Sequence, residues 1–336
     1  SVIASIGSGI VAIAMAFYGF GVWALVAQRI VKQGLNSLFL WLWNRWKPML
    51  VFSVKSIKEL FGFGSKLLIS GLIDTIYRNV YYLIIGKFFS AQELGFYTKA
   101  DEFKRLPSQN LNTIIGRVSY PVLSTLQDDI PRLRNNYQKL IRSVMFITFI
   151  LMLGMAAVAE PMIHTLIGAK WEPAIIYLQM LCFVGMMYPL HALNLNMLQV
   201  QGRSDLFLKL EVIKKIIAIP TIVIGIFFGI KMMIGGMMVN TLIAYYLNSY
   251  WSGKKIGYSF KQQVKDILPS FFLALSMGVL VYLLGELLPF SYPVKLIIQI
   301  VFGGLFVLVI SEITKFRDYI FAKQLVLEKI HSIKKR

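Results

Sequence analysis

The sequence predicts an all-α protein that crosses a membrane many times. Hydrophobic residues make up 57% of its 336 residues, and the mean hydropathy is +0.66, which is typical of helical membrane proteins. Apolar stretches of about 20 residues, the length that spans a bilayer as a helix, recur from one end of the chain to the other. We therefore expect about ten transmembrane helices.

The predicted spans are separated by short segments that hold most of the charged residues. We place them near residues 2–19, 21–43, 64–88, 107–125, 142–160, 173–200, 206–229, 232–250, 267–285 and 293–312. Pro189 and Pro220 fall inside the sixth and seventh spans. Proline removes a backbone hydrogen bond, so each should kink its helix or open it locally.

Lysine and arginine are distributed unevenly over the connecting segments. One alternate set of segments, together with the C-terminal tail, carries far more of them than the other set. Because basic residues accumulate in cytoplasmic loops, the rich set and both chain ends are predicted to be cytoplasmic, and the loop 89–106 to face the opposite side. This distribution accounts for the net charge of +19, and we predict no nucleic-acid partner.

Two long cytoplasmic connections, 44–63 and 251–266, mix basic with apolar residues and are predicted to form helices on the membrane surface. They divide the chain into residues 1–58 with two spans, residues 59–250 with six, and residues 251–336 with two more spans and a basic tail. The chain starts at Ser1 without an initiator methionine. We expect further helices, most simply four, to precede it.

The sequence shows no signature of an enzyme or a metal site. Cys182 is the only cysteine, and the three histidines are scattered, so neither an internal disulfide nor a zinc site is predicted. No Walker A sequence is present, and the predicted outer loops are short. We therefore predict no catalytic residue and no cofactor, and we interpret His191 as an interhelical hydrogen-bond partner.

Several cations lie inside the apolar stretches rather than between them. A charge at the bilayer centre costs about 2.5–3.5 kcal/mol on insertion scales and usually faces a polar interior. The cations are Arg29, Lys32, Lys66, Arg78, Lys87, Arg117, Lys214 and Lys215, and their clear acidic companions are Asp74 and Glu211. This surplus of positive charge predicts an anionic ligand; the alternative is that these side chains join helices through hydrogen bonds.

Spacing along each helix selects the candidate site residues. Arg29 and Lys32 belong to one polar stripe of the second span, and Arg117 has no acidic residue in its own span. Asp74 and Arg78 are four residues apart and should pair, as should Glu211 with one of the two lysines that follow it. The remaining lysine would meet a phosphate or a lipid headgroup. The predicted substrate-binding residues are Arg29, Lys32, Arg78, Arg117, Asn194 and Lys214, and the predicted ion-pair residues are Asp74, Arg78, Glu211 and Lys215.

Five segments together resemble one known family. They are GFGVWALVAQRIV (20–32), residues 60–111, YPVLSTLQDD (120–129), AEPMIHTLIGAKW (159–171) and HALNLNMLQVQGRSDLFLKLEVIKK (191–215). They are similar to the polysaccharide exporters of the MOP superfamily, the Wzx-type flippases, and particularly to the long type related to colanic-acid and lipopolysaccharide exporters.

The resemblance implies a fourteen-helix fold with two six-helix lobes around a cationic cavity and two extra C-terminal helices. This chain would hold the last two helices of the N-terminal lobe, the whole C-terminal lobe and the extra pair. The implied activity is the movement of undecaprenyl-diphosphate-linked oligosaccharide from the inner to the outer leaflet of the bacterial cytoplasmic (inner) membrane by alternating access. The implied partners are the lipid bilayer, a coupling ion (H⁺ or Na⁺) and other polysaccharide-assembly proteins.

Three other functions fit the composition less well. A MATE-like drug/cation antiporter would use buried carboxylates to bind cations, yet bases outnumber acids in the predicted spans. A membrane glycosyltransferase or polymerase would need acidic residues in a sizeable outer loop. A membrane scaffold would use the buried cations for packing alone.

Overall fold

The computed structural model describes residues 2–44, 53–320 and 323, and all regular secondary structure in these residues is helical. A short 3₁₀ helix, Ala169–Trp171, lies between the sixth and seventh α-helices. The α-helices are α1 (Val2–Phe17), α2 (Trp23–Asn44), α3 (Val54–Phe88), α4 (Ala91–Ser124), α5 (Ile130–Ala157), α6 (Ala159–Leu166), α7 (Ala174–Met186), α8 (Tyr188–Val200), α9 (Ser204–Phe228), α10 (Ile230–Lys254), α11 (Phe260–Leu287) and α12 (Tyr292–Ile313).

Six segments of the described chain are long and apolar enough to cross a membrane, which makes this a multi-pass membrane protein. They are Leu60–Phe88, Ile130–Ala157, Ala174–Val200, Ile230–Lys254, Phe260–Leu287 and Tyr292–Ile313. The other four predicted spans lie on α1, α2, α4 and α9, which are helical but shorter or more charged. The total of ten spans stays a prediction.

Helix ends differ from the sequence-based expectation at two connections. The predicted outer loop 89–106 is wrong, because α4 already begins at Ala91, where the Ser90 hydroxyl accepts a hydrogen bond from the Glu93 backbone N–H at 3.1 Å. The predicted surface helix at 251–266 is also wrong. There α10 continues to Lys254, and α11 starts at Phe260 behind a capping box formed by Ser259 and Gln262.

The first predicted surface helix, 44–63, is only partly covered by the structure. Residues 45–52 lie outside the described part of the chain, as does most of the basic tail after residue 320. From Val54 onward the segment forms the first turns of the long helix α3 rather than a helix of its own.

The two prolines in predicted spans behave differently. A break separates α7 from α8 at Met187, and Pro189 lies in the first turn of α8, which confirms the prediction of a local opening there. Helix α9, in contrast, is continuous from Ser204 to Phe228 and is not interrupted at Pro220.

The chain forms two compact units, residues 1–58 and residues 59–336. In the first, α1 packs along α2. In the second, α5 and α11 share the most extensive interface, with the rings of Phe149 and Phe271 5.4 Å apart in an edge-to-face arrangement. A Cβ atom at Gly278 would lie 3.3 Å from the Leu153 carbonyl oxygen, so a glycine allows the two helices to approach closely.

The second unit also places its polar helices around one space. Helix α4 packs against α7 and α8, α10 packs against α9, α8 and α7, and α12 packs on α11 and α6. Helices α3, α4, α8, α9 and α10 therefore surround a cavity that contains most of the buried charge. The division of this unit into a six-helix lobe and two added helices stays a prediction.

Candidate functional site

The candidate site is a cavity of about 610 Å³ inside residues 59–336. Its charged and aromatic wall is formed by Asp74, Tyr77, Tyr81, Tyr82, Asp101, Lys104, Arg105, Tyr188, His191, Glu211, Lys214 and Lys215. Asp101 lies about 15 Å along α4 from the start of that helix, and Lys215 lies about 16 Å along α9 from its start. Because α4 and α9 start at opposite ends of the unit, both groups lie near its middle.

The first charged group joins α3 to α9. The Lys215 Nζ lies 2.8 Å from Asp74 Oδ1 and 3.5 Å from Glu211 Oε2, and Lys214 forms an ion pair with Glu211. Lys215 Nζ also lies 4.2 Å from the centre of the Tyr77 ring, within the range of a cation–π contact. Glu211 is only 4% exposed. Among the described side chains of this group, two carboxylates and two ammonium groups balance each other.

The second charged group joins α3 to α4 and has a surplus of positive charge. Asp101 is 7% exposed and accepts a hydrogen bond from the Tyr82 hydroxyl. Lys104 Nζ is 2.5 Å from Asp101 Oδ1, and Arg105 Nη1 is 3.7 Å from Asp101 Oδ2. One carboxylate thus faces two cations. The Arg105 side chain is 47% exposed, so it is the accessible cation of this group.

A glycine on α7 makes room for the second group. A Cβ atom at Gly185 would lie 2.8 Å from both Cγ and Cδ of Lys104. The lysine side chain therefore passes over α7 at the one place where no side chain blocks it, and this path directs its ammonium group to Asp101.

Sequence reasoning missed this second group. It placed Lys104 and Arg105 in an outer loop, whereas the structure places them on α4 inside the cavity wall. The signal that could have found them is the i, i+3, i+4 spacing of Asp101, Lys104 and Arg105 behind the capping residue Ser90.

Hydrogen bonds between helices complete the wall. His191 Nε2 on α8 lies 2.8 Å from Thr241 Oγ1 on α10, which confirms the prediction of an interhelical partner. The Asn240 amide donates to Thr221 Oγ1 at 2.6 Å and joins α10 to α9. Such bonds satisfy polar groups that would otherwise face hydrocarbon.

The structure brings together four of the predicted residues, Asp74, Glu211, Lys214 and Lys215. Glu211 pairs with both Lys214 and Lys215, which confirms the prediction that one of them is its partner. Asp74 has Lys215 of α9 as a partner, a contact that no local spacing indicates. Each of the two lysines has a carboxylate partner, so the prediction that one lysine remains unpaired is wrong. Arg78 and Arg117 lie on α3 and α4, with side chains outside the described part of the structure.

Asn194 does not lie on the wall of the cavity. Its side chain is fully buried; its Oδ1 accepts hydrogen bonds from the Tyr137 hydroxyl at 3.0 Å and the Ser252 hydroxyl at 2.5 Å, and its Nδ2 donates to the Leu190 carbonyl. Asn194 therefore joins α8 to α5 and α10. The structure places it in the packed interior rather than with the predicted substrate ligands.

Arg29 and Lys32 belong to the other unit. Both lie on α2 with exposed side chains. They occupy neighbouring turns of one helix, as their spacing predicts.

Comparison with known proteins agrees with the resemblance read from the sequence. The model of the family "Polysaccharide biosynthesis protein" matches residues 1–176. The lipopolysaccharide biosynthesis protein WzxC of Escherichia coli K12 is 30% identical over 266 residues, which cover 77% of this chain and 54% of WzxC. The teichuronic acid biosynthesis protein TuaB of Bacillus subtilis 168 is 28% identical over 54% of this chain and 38% of TuaB.

A solved structure shares the fold. The lipid II flippase MurJ in an inward closed conformation matches 94% of this chain and 67% of the MurJ chain with a TM-score of 0.69, at 16% sequence identity. The chain spans about half the length of WzxC. The family match covers more than half of the 336 residues, and the chain belongs to the polysaccharide biosynthesis protein family, the Wzx-like flippases of the MOP superfamily.

Proposed function

We propose that the protein moves an undecaprenyl-diphosphate-linked oligosaccharide from the inner to the outer leaflet of the bacterial cytoplasmic membrane by alternating access. The observation that carries the proposal is the cavity in residues 59–336, whose wall carries a surplus of cations at mid-depth. Family membership and a MurJ-like fold support it.

A diphosphate is the part of such a substrate that opposes crossing. Transferring an anion into an apolar medium is very costly unless cations and hydrogen bonds replace its water. Arg105 offers a half-exposed guanidinium, which can bind a phosphate through two parallel hydrogen bonds. Arg105 Nη1 donates a hydrogen bond to the Tyr82 hydroxyl at 3.4 Å, which helps to orient the guanidinium.

The ion pairs of the cavity also argue against the antiporter alternative. A drug/cation antiporter needs carboxylates that can exchange one cation for another. Asp74, Asp101 and Glu211 already have lysine partners within the protein. In the proposed flippase these pairs stabilise the wall, while Arg105 with the sequence-based candidates Arg78 and Arg117 of the same unit contacts the substrate. Arg29 and Lys32 of the other unit stay sequence-based candidates.

The proposal assigns each part of the substrate to a different environment. The polyprenyl chain stays in the bilayer, the diphosphate enters the cationic cavity, and the oligosaccharide stays hydrated. In alternating access, the cavity closes on one side of the membrane before it opens on the other, which keeps ions from leaking across the membrane.

The test is complementation with the full-length protein in a bacterial strain that lacks its polysaccharide exporter. We expect restored polysaccharide at the surface, and lipid-linked oligosaccharide that becomes reactive to a membrane-impermeant reagent added outside. Lipid-linked oligosaccharide that accumulates and stays unreactive from outside, despite normal membrane abundance of the protein, would contradict the proposal.

A further inference from the structure

A second cavity lies at one end of the same unit. It has a volume of about 460 Å³ and is lined by the last turns of α4 and α8 and by the connection between α10 and α11, with Ser124, Gln127, Asp128, Gln201 and Lys255 among its polar residues. The charge distribution of the sequence places this end in the cytoplasm. Its wall is polar, as expected of a space that holds water.

The two cavities share one side chain within the described residues, that of Gln199. On α8, the residues Tyr188, Ala192, Leu195 and Gln199 line the first cavity. Their spacing of three or four residues places them on one face of the helix. Gln199 is the last of them, and residues 200–202 continue into the second cavity. The face of α8 therefore runs without interruption from the charged cavity to the cytoplasmic end.

The backbone around Gln199 is fixed, while its side chain is not. Asn196 donates a hydrogen bond to Ser119 Oγ at 3.0 Å, which joins α8 to α4, and Gln201 donates to the Ser252 carbonyl at 3.1 Å, which joins α8 to α10. Within the part of the chain that the structure describes, the Gln199 carboxamide has no hydrogen-bond partner and is half-buried. Its rotamer can change without breaking a side-chain hydrogen bond to a described residue.

We propose that Gln199 gates a hydrated path from the cytoplasmic end, through the second cavity, to the ion pairs of Glu211 with Lys214 and Lys215. The path serves water and small ions, because a change of one side-chain rotamer opens a passage far narrower than a lipid-linked sugar needs. Such a path would let protons or monovalent ions reach the buried carboxylates while the substrate route stays closed.

The test measures chemical access, so its result does not depend on which substrate the protein transports. In the full-length protein with Cys182→Ala, the substitution Ala192→Cys places a reporter thiol in the first cavity, about 10 Å of helix beyond Gln199. Inside-out vesicles are exposed to a membrane-impermeant trimethylammonium methanethiosulfonate, and the rate of thiol modification is measured. Gln199→Trp adds bulk at the side chain that the two cavities share, and Gln199→Ala removes it. Asn135→Trp, at an exposed position of α5 that lines neither cavity, is the matched control.

We expect Gln199→Trp to slow modification at least tenfold and Gln199→Ala to accelerate it at least threefold, with Asn135→Trp within twofold of the parent. A reporter that does not react from the cytoplasmic side would overturn the inference. So would equal rates in the parent and both Gln199 variants, or slowing by both. If Gln199→Trp does not give a monodisperse protein in detergent, the acceleration by Gln199→Ala decides the outcome.

Discussion

Lys215 of α9 lies 2.8 Å from Asp74 of α3, across a sequence separation of 141 residues. The pair connects α3, the first helix of the larger unit, to α9 and faces the charged cavity. Its energetic role can be measured apart from transport.

Replacing Lys215 by Met should lower the stability of the folded protein, because Asp74 loses its ammonium partner in a poorly hydrated wall. Breaking a fully buried pair costs about 3–5 kcal/mol. Lys215 and Asp74 are 19% and 28% exposed, so screening by cavity water reduces the expected cost to about 1–3 kcal/mol. The measurement is thermal unfolding in detergent, with Lys209→Met, an exposed lysine of the same helix, as the control. Adding Asp74→Asn to Lys215→Met should recover part of the loss; a purely additive double variant would show that the pair has no coupling energy.

Replacing Arg105 by Ala should abolish export while membrane abundance stays normal, because the accessible guanidinium of the cavity is lost. Arg105→Lys should retain part of the activity, since lysine keeps the charge but not the two parallel donors. The assay is surface polysaccharide normalised to the amount of protein in the membrane. Lys99→Ala is the control, because Lys99 forms an exposed ion pair with Glu102 on the same helix. Normal export by Arg105→Ala at normal abundance would remove Arg105 from the substrate site.

Replacing Asn194 by Ala should reduce stability rather than substrate recognition. The substitution leaves the Tyr137 and Ser252 hydroxyls without their buried acceptor, which costs about 1–3 kcal/mol for an unsatisfied group. We expect a lower unfolding temperature, and export reduced only in proportion to membrane abundance. Asn79→Ala serves as the control, because the Asn79 amide bonds the Thr75 carbonyl at an exposed position. A loss of export with unchanged stability would contradict this structural role and support Asn194 as a substrate ligand.

The orientation can be tested by single cysteines at Ser90 and Ser259 in a Cys182→Ala background. Both positions are exposed and precede helices, α4 and α11 respectively. The positive-inside rule places Ser90 outside and Ser259 in the cytoplasm. An impermeant thiol reagent added to intact cells should therefore modify only the cysteine at position 90. Reaction of both cysteines from outside would contradict the predicted orientation.

The helices themselves could be predicted from the sequence, because an apolar run of membrane length has few alternatives. The charged part of α4 could not, since hydropathy treats Asp101, Lys104 and Arg105 as loop residues. Within a helix, however, their spacing lets one carboxylate partly neutralise two cations.

The contacts between distant segments were also inaccessible to local reasoning. Asp74 has an arginine four residues further along α3, whose side chain lies outside the described part of the structure, so that pair stays a prediction. The contact of Asp74 with Lys215, 141 residues away, has no local spacing that could predict it. Asn194 was predicted as a ligand because it is polar in an apolar helix. A buried amide of this kind can equally bond two neighbouring helices, and the structure shows that it does.

The break at Met187 has a mechanical consequence for the span that contains it. Since Pro189 lacks a backbone N–H, the hydrogen-bond ladder is interrupted between α7 and α8. The two halves are separate helical rods, and hydrogen bonds of Asn194, Asn196 and Gln201 hold the second rod, α8, to α5, α4 and α10. Gly185 and the Lys104 path belong to one rod, whereas His191 and Gln199 belong to the other. A tilt of α8 that moves His191 and Gln199 together would therefore have to break the hydrogen bonds of α8 to α4 and α10, while the contact of Lys104 with Asp101 remains in place.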